Sequence, residues 1–475
     1  MAFISAFDGW LVLAVFGLAM LLITWFFTRH ERLSTEDFLM AGRNVPWWMG
    51  AASIAASWIW APALFLSSQM AYQLGLPGIF WFTAPNIVAV AIFILLAPKI
   101  RAQFQQGHTF AEFIGQKLGD QRLRKVYFFG QSFYQLMAVS VQLFAGGNLV
   151  QLLTGIPLLP AMLALAAIVL AYSWLSGLRS SIVTDVVQLA VIFVGIAIVV
   201  PSALSAGGGF EAVWAGLGGV TGKHSDLFDP GVAFSFGLVT SIGLIAGSLS
   251  DQQFWQRVFA FEKKSVVPGF MGGALLFGIV PIALSVLGFL AAAPGSGIAL
   301  PEGTDASLIG VLAVAHLLPS GFLLAFLLML LAGLASTMDS ALNAFSSLYA
   351  VDAKKYVVSH DLRHPKVGML LILAAGFLVA LAAAWLPGFG LKQLFWIFGA
   401  VASSMIVPTI LSLYWDKLTA KGALWGVGCS LLFGLPAFVY GNLVDSPVLI
   451  VGAALFIVTA NLACCLFFSR ARTPA

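Results

Sequence analysis

Residues 331–350 read LAGLASTMDSALNAFSSLYA, and the reading of this stretch decides the fold. It closes a long apolar run, yet it carries Ser336, Thr337, Asp339, Ser340, Asn343, Ser346 and Ser347. Ser336, Ser340, Asn343 and Ser347 recur at four, three and four residues, which is one face of a helix, and Thr337 and Asp339 flank that face. In hydrocarbon each unpaired polar group costs several kcal/mol, so the face must turn toward protein, water or an ion. The adjacent hydroxyls of Ser336 and Thr337, joined by carbonyls freed elsewhere, would form an oxygen cage for a small hard cation. The competing reading has each hydroxyl bonding back to the carbonyl four residues earlier. Polar groups this dense, with a carboxylate among them, weigh against it.

The composition makes lipid the solvent for the rest. Of 475 residues 60% are hydrophobic and only 9% charged, against about 25% charged in soluble domains. Thirteen long apolar runs, each near the ~20 residues that cross a bilayer, fall at 8–28, 47–73, 77–97, 126–153, 157–175, 181–203, 232–253, 267–292, 319–350, 367–386, 391–414, 421–440 and 446–468. They are continuous rather than alternating, which predicts helices and not a barrel. Placing the N-terminus outside and the C-terminus inside puts every Lys and Arg except Lys223 and Lys392 in inside segments, as positive-inside orientation demands. The loops are short, so residues 1–475 are expected to form one multi-pass domain of the cell membrane.

Within the runs, polar residues mark the chemistry, because an ionisable group in a span points by default to an ion or substrate path. The second run holds Ser53, Ser57, Ser67, Ser68 and Gln69 around Pro62. Proline removes a backbone donor and crowds the carbonyl of Trp58, four residues earlier. The result is either a broken helix with cation-binding carbonyls or a kinked helix packed through small residues. The sixth run opens with Thr184, Asp185 and Gln188; the carboxylate either serves an ion or lies at the interface paired with Arg179. Gln131, Tyr134, Gln135 and Gln142 form a stripe that either lines a solute path or bonds neighbouring helices. Asp251, Gln252 and Gln253 read mainly as the charged end of the seventh run.

Other chemistries find no footing. There is no P-loop and no HExxH, no Cys/His cluster of zinc spacing, and no basic patch with interleaved aromatics for nucleic acid. Cys429, Cys464 and Cys465 lie in late apolar runs without a disulfide framework. No enzyme activity is indicated.

Five segments, in order, resemble the sodium/solute symporter family: STEDFLMAGRNVPWW (34–48), HTFAEFIGQKLGD (108–120), LRSSIVTDVVQ (178–188), DQQFWQR (251–257) and LASTMDSALNAFSS (334–347). The helix SWIWAPALFLSSQMAYQLGLPGIFWF (57–82) is most similar to the urea active transporter branch. The resemblance implies an all-α integral membrane fold of thirteen transmembrane helices with an inverted five-helix repeat of the LeuT type. An extra N-terminal helix (8–28) would precede the first repeat (47–203), and two extra helices (421–468) would follow the second (232–414).

It further implies Na⁺ held by the carbonyls of Ala52 and Ala55 and the hydroxyls of Ser336 and Thr337, with Asp185 and Ser340 as ligands of a second ion. A substrate pocket would draw on Ser53, Ser57, Trp58, Trp60, Gln131 and Gln135. Asp339 falls off this ligand face and is left as a structural or ion-path carboxylate. Ile54 and Gly247 depart from the polar residue and the aromatic gate of the sugar carriers. The implied function is Na⁺-coupled uptake of a small polar solute, urea first, by a monomer in the lipid bilayer. The alternatives are proton coupling in the same fold, an amino acid as solute, a passive channel, or a sensor module.

Overall fold

The computed structural model describes residues 3–29, 33–301, 304–354, 357–386 and 398–469. Every extended element among them is a helix; the single β-bridge joins Val45 to Phe261. In chain order the long elements are α1 (Ala6–Thr28), α2 (Trp47–Trp58), α3 (Pro62–Gln103), α4 (Gln121–Thr154), α5 (Leu158–Ser176), α6 (Leu178–Ala206), α7 (Pro230–Ser250), α8 (Gln252–Ala260), α9 (Lys263–Ala292), α10 (Ser320–Ala353), α11 (Arg363–Trp385), α12 (Phe398–Tyr414), α13 (Ala420–Leu443) and α14 (Pro447–Ser469). Eleven of the described helices are long and apolar enough to cross a membrane. The runs expected at 47–73 and 77–97 are divided differently: α2 stops at Trp58, and Pro62–Gln103 follows as one bent element. The first part of the run expected at 391–414 lies outside the described residues.

Local chemistry fixes the ends. The Asp120 carboxylate caps α4 by accepting from the amides of Arg122 and Leu123, and Gly155 closes it in the left-handed conformation. A side-chain acceptor at the first turn satisfies donors that have no helical partner. The bend in α3 falls at Gly75, with φ +60°. A Cβ there would lie 2.3 Å from the His224 carbonyl oxygen and 2.4 Å from that of Leu217. Only glycine admits both the dihedral and that approach. The adjacent Leu76 amide donates to the same two carbonyls.

Two helices break inside the protein. After α2 the chain leaves helical geometry at Ile59 and resumes at Pro62. The Ala61 amide across this gap donates to Gln142 Oε1 at 2.9 Å, so a side chain of α4 replaces the missing helical acceptor. The second break separates α7 from α8 at Asp251 (ψ 112°), whose carboxylate caps α8 through the Gln253 amide at 2.8 Å. Around these breaks α9 packs on α2 and α3, and α10 packs on α4, α5 and α6. The polar face of α10 therefore meets protein on several sides, and Ser336, Thr337, Asp339, Ser340, Asn343, Ser346 and Ser347 are all buried.

On the basic side of the molecule, loop segments tie the helix ends together. Arg43 bonds Glu36 at 2.5 Å and the Gly107 carbonyl at 2.9 Å. Arg101 donates to the Phe259 carbonyl at 2.9 Å. Arg124 pairs with Asp352 at 2.7 Å. His108 lies 2.7 Å from Glu36 and 3.5 Å from Glu112. Burial disfavours its charged form, but the hydrogen bonds to Glu112 and Glu36 and the charges of both outweigh this and raise it above the ordinary 6.5.

Candidate functional site

The site is the place where α10 crosses the end of α2. Gly333 brings the two close: a Cβ there would lie 3.0 Å from the Ile59 carbonyl oxygen and 2.8 Å from Leu64. One turn on, Ser336 Oγ donates to the Ala56 carbonyl at 2.9 Å and Thr337 Oγ1 to the Ser57 carbonyl at 3.0 Å. The two hydroxyls expected to act as a pair thus do face carbonyls of the broken helix. The carbonyls they meet are those of Ala56 and Ser57. The Ile59 amide donates to the Ala55 carbonyl at 2.9 Å and also to that of Ala56 at 3.2 Å, within the last turn of α2, and Ala52 lies a turn deeper in the same helix. Ser336 and Thr337 also reach back to the Gly333 carbonyl at 2.9 and 3.4 Å. Back-bonding and contact with α2 therefore coexist. The donor set of hydroxyls and amide carbonyls is all hard oxygen, which suits a Group 1 or 2 cation rather than a transition metal. No group of three His, Cys, Asp or Glu placed to hold a metal ion is found among the described residues.

A second cluster adjoins it. Ser53 Oγ donates to Asp185 Oδ2 at 2.5 Å. Ser57 and Ser340 share a hydrogen bond of 2.9 Å. Into this group comes Arg257 of α8, with no exposed side-chain surface. Its guanidinium donates to Ser53 Oγ at 2.9 Å, Asp185 Oδ2 at 3.0 Å and Ser340 Oγ at 2.8 Å. Asp185 and Ser340, expected from the resemblance as second-ion ligands, are brought together, and between them lies a cation of the protein's own. Asp185 thus forms its ion pair with Arg257, at 3.0 Å, where the sequence alone offers Arg179.

Arg257 was missed by the sequence reading. By sequence DQQFWQR reads mainly as a helix end anchored by charge; the structure buries Asp251, Gln252, Gln253 and Arg257. The signal was there: the break leaves α8 a short helix of nine residues, and its Arg sits one residue after Gln256 in an otherwise apolar and amide-rich helix.

Asp339 is explained by its neighbours. It accepts from Tyr172 at 2.7 Å and from Ser181 at 2.6 Å, with Thr184 at 3.5 Å and Ser340 at 3.3 Å. One residue from Ser340, it faces α5 and α6 and locks α10 to them.

The residues expected to line a substrate pocket divide. Ser53 and Ser57 belong to the charged cluster just described. Trp58 Nε1 donates to Asn86 Oδ1 at 2.9 Å, and its ring stacks on Trp60 with centroids 5.9 Å apart. Trp60 in turn lies 5.1 Å from Phe398, which lies 4.0 Å from Tyr134. Gln135 is engaged at the second break, donating to Asp251 Oδ1 at 3.0 Å and accepting from Gln253 at 3.1 Å. Gln131 is fully buried, and neither its amide oxygen nor its nitrogen has a hydrogen-bond partner among the described residues. Gly247 faces Tyr134 and Phe398. Ile54 packs against Gly273 of α9, away from the polar cluster.

Comparison with known proteins agrees with this geometry. Residues 38–429 match the sequence profile of the sodium:solute symporter family. A sodium/glucose cotransporter of Vibrio parahaemolyticus is 27% identical, over 85% of this chain and 79% of the relative. The urea-proton symporter DUR3 of rice is 25% identical, over 88% of this chain and 63% of the relative, and the urea active transporter of Saccharomyces cerevisiae is 23% identical, over 84% and 58%. The chain thus spans under two thirds of those two urea carriers. Among solved structures, an outward-open Na⁺-coupled sialic acid symporter superposes with a TM-score of 0.80 at 17% identity, covering 98% of each chain. A nucleobase-cation-symport-1 family transporter in a closed conformation superposes with a TM-score of 0.62 at 12% identity, over 93% of this chain and 96% of the other. Both likenesses are of fold. The five ordered motifs, the broken helices and the match over most of the sequence agree: the chain is a multi-pass membrane protein of the sodium:solute symporter family.

Proposed function

We propose that this protein is a secondary active symporter that couples inward Na⁺ flow to uptake of a small polar solute, urea first, by alternating access. The observation that carries the reading is the contact between Ser336 and Thr337 on α10 and the carbonyls of Ala56 and Ser57 at the end of α2. Rotation of the two hydroxyl protons away turns four oxygens toward one point between two helices. An ion there joins α2 to α10, and its loss lets them part. Na⁺ entering down a membrane potential releases about 2.3 kcal/mol per charge per 100 mV, and the solute is carried by the same movement.

The architecture proposed with it is thirteen spans, N-terminus outside and C-terminus inside, with inverted repeats at 47–203 and 232–414 working as a monomer. The two helix breaks, after Trp58 and at Asp251, fall near corresponding places in the two proposed repeats, which supports that symmetry. Ala52 and Ala55 stay in the proposed Na⁺ site as members of the same α2 turns, with Ala56 and Ser57 added. Asp185 and Ser340 are proposed for a second ion only when Arg257 withdraws.

The solute reading rests on Gln131. A buried amide with neither polar atom paired is a group awaiting a partner. A small amide such as urea presents both an acceptor and donors to it, on the same helix and one turn before Tyr134, which lies against Phe398. Proton coupling is the second reading, favoured by the buried carboxylates Asp185, Asp251 and Asp339. Uptake of labelled urea into proteoliposomes under an imposed Na⁺ gradient, and separately under a pH gradient, tests both. Accumulation driven by pH alone sinks the sodium mechanism; equilibration without accumulation under either gradient makes the protein a passive channel.

A further inference from the structure

The basic side of the molecule carries a groove that the transport reading does not use. It encloses about 680 Å³ between the last turn of α3, the short helix Phe110–Leu118 and the end of α12. Lys99 and Lys117 line it from two different elements, with Gln103 and Gln116 between them and Phe104 and Phe113 as apolar wall. Lys117 Nζ donates to Gln103 Oε1 at 2.6 Å and lies 3.5 Å from Asp416, a carboxylate 96% exposed. Lys99 has no carboxylate within ion-pair distance among the described residues; its ammonium lies 5.4 Å from the centre of the Tyr414 ring. Two cations therefore meet one solvated carboxylate.

The surroundings say what would balance them. Tyr414 is half exposed and its hydroxyl donates to the Leu95 carbonyl at 2.8 Å, which fixes the ring at the groove's edge. Leu95 is one turn from Lys99 on the same face of α3 and is 65% exposed, and Val88, two turns further, is exposed as well. Seven- and four-residue steps keep Val88, Leu95 and Lys99 on one stripe. That stripe runs from Lys99 along a membrane-length helix, with a tyrosine beside its basic end, a residue type enriched where spans leave the bilayer. Basic pockets between spans on this kind of face hold anionic lipid head groups.

We propose that the groove bounded by Lys99, Lys117 and Tyr414 is a binding site for the phosphate head group of an anionic phospholipid, whose acyl chain lies along Leu95 and Val88. The ammonium groups neutralise the phosphate, the Gln103 and Gln116 amides turn to its oxygens from the long bonds they make here to the Leu413 carbonyl at 3.4 Å and Glu112 Oε1 at 3.5 Å, and Asp416 swings into water. The site lies away from the α2–α10 contact, so it stands or falls apart from the transport reading.

The test uses the full chain purified in detergent. Thermal unfolding is followed with phosphatidylglycerol, with phosphatidylcholine, and with inorganic phosphate, and phosphatidylglycerol retained through purification is counted by native mass spectrometry. The wild type is expected to retain phosphatidylglycerol and to be stabilised by it alone. The Lys99→Gln/Lys117→Gln variant is expected to bind it roughly thirtyfold more weakly, at about a fivefold effect for each lysine. Lys99→Arg/Lys117→Arg is expected to bind as the wild type does. Equal retention by the Gln variant overturns the site. Equal protection by phosphatidylcholine shows the head group is not read, and equal protection by inorganic phosphate shows the ligand is a soluble anion; either overturns the proposal.

Discussion

Arg257 Nη2 and Asp185 Oδ2 lie 3.0 Å apart, and neither side chain has any exposed surface. Separating two buried charges is costly, because removing one leaves the other uncompensated; the penalty is about 3–5 kcal/mol. Arg257→Gln and Asp185→Asn are each expected to lower the thermal midpoint strongly. The double variant is expected to recover part of that loss, since neither member of the pair is left without the other. Because the guanidinium lies between Asp185 and Ser340, transport by the wild type is expected to show a sodium Hill coefficient near one. A coefficient near two with the pair intact would show that Arg257 leaves the cluster during the cycle.

Thr337 supplies a hydroxyl to the carbonyl end of α2. Thr337→Ala removes it and is expected to weaken Na⁺ binding by about ten- to a hundredfold, the effect of deleting one oxygen partner in a buried site. Thr337→Ser keeps the oxygen and is expected to keep most of the affinity. Sodium titration of thermal stability reads the difference without requiring the solute to be known.

Gln131 is expected to separate function from stability. Replacing an unpartnered buried amide by Leu removes a desolvated polar group, so Gln131→Leu should be as stable as the wild type or more so without solute. Solute uptake should fall at least tenfold while sodium affinity stays unchanged. A variant that transports normally would remove Gln131 from the solute path.

His108 gives a pH dependence at the basic side. Its folded value is raised above 6.5, so protonation favours the folded state. The contribution is fully present below about 6.5 and is lost as pH rises through the raised folded value. The thermal midpoint of the wild type should therefore fall over that interval, more than that of His108→Gln. Parallel curves for the two proteins would mean that Glu36 and Glu112 do not hold the charged ring.

The sequence disclosed the fold through quantities that do not depend on three-dimensional context: run length, charge asymmetry and a proline in a polar-rich span. It singled out the Ser336–Thr337 pair through the density of polar groups on one helix face, and the pair does meet carbonyls of α2. It concealed Arg257, since a Lys/Arg-rich segment after a span reads as an interfacial anchor. Only the turn at Asp251, which sends α8 back among α2, α6 and α10, makes that arginine internal. The partners of Gln135 are hidden for a related reason. Its place on a helical stripe is right, but its partners come from the far side of a break that periodicity cannot see. Asp339 became intelligible once Tyr172 and Ser181 were placed beside it, residues more than 150 positions away in sequence.

Gly333 adds a property of a different kind. Its missing side chain sets how near α10 comes to Ile59 and Leu64, and so how far apart the oxygens one turn below can stand. A methyl group there would push the helices apart and widen the ring of oxygens. A wider ring holds a larger, more easily dehydrated ion better than a small one, if cavity size governs the choice. The discrimination of Na⁺ from K⁺ would then be written in this chain as an absence, at a residue that touches no ion.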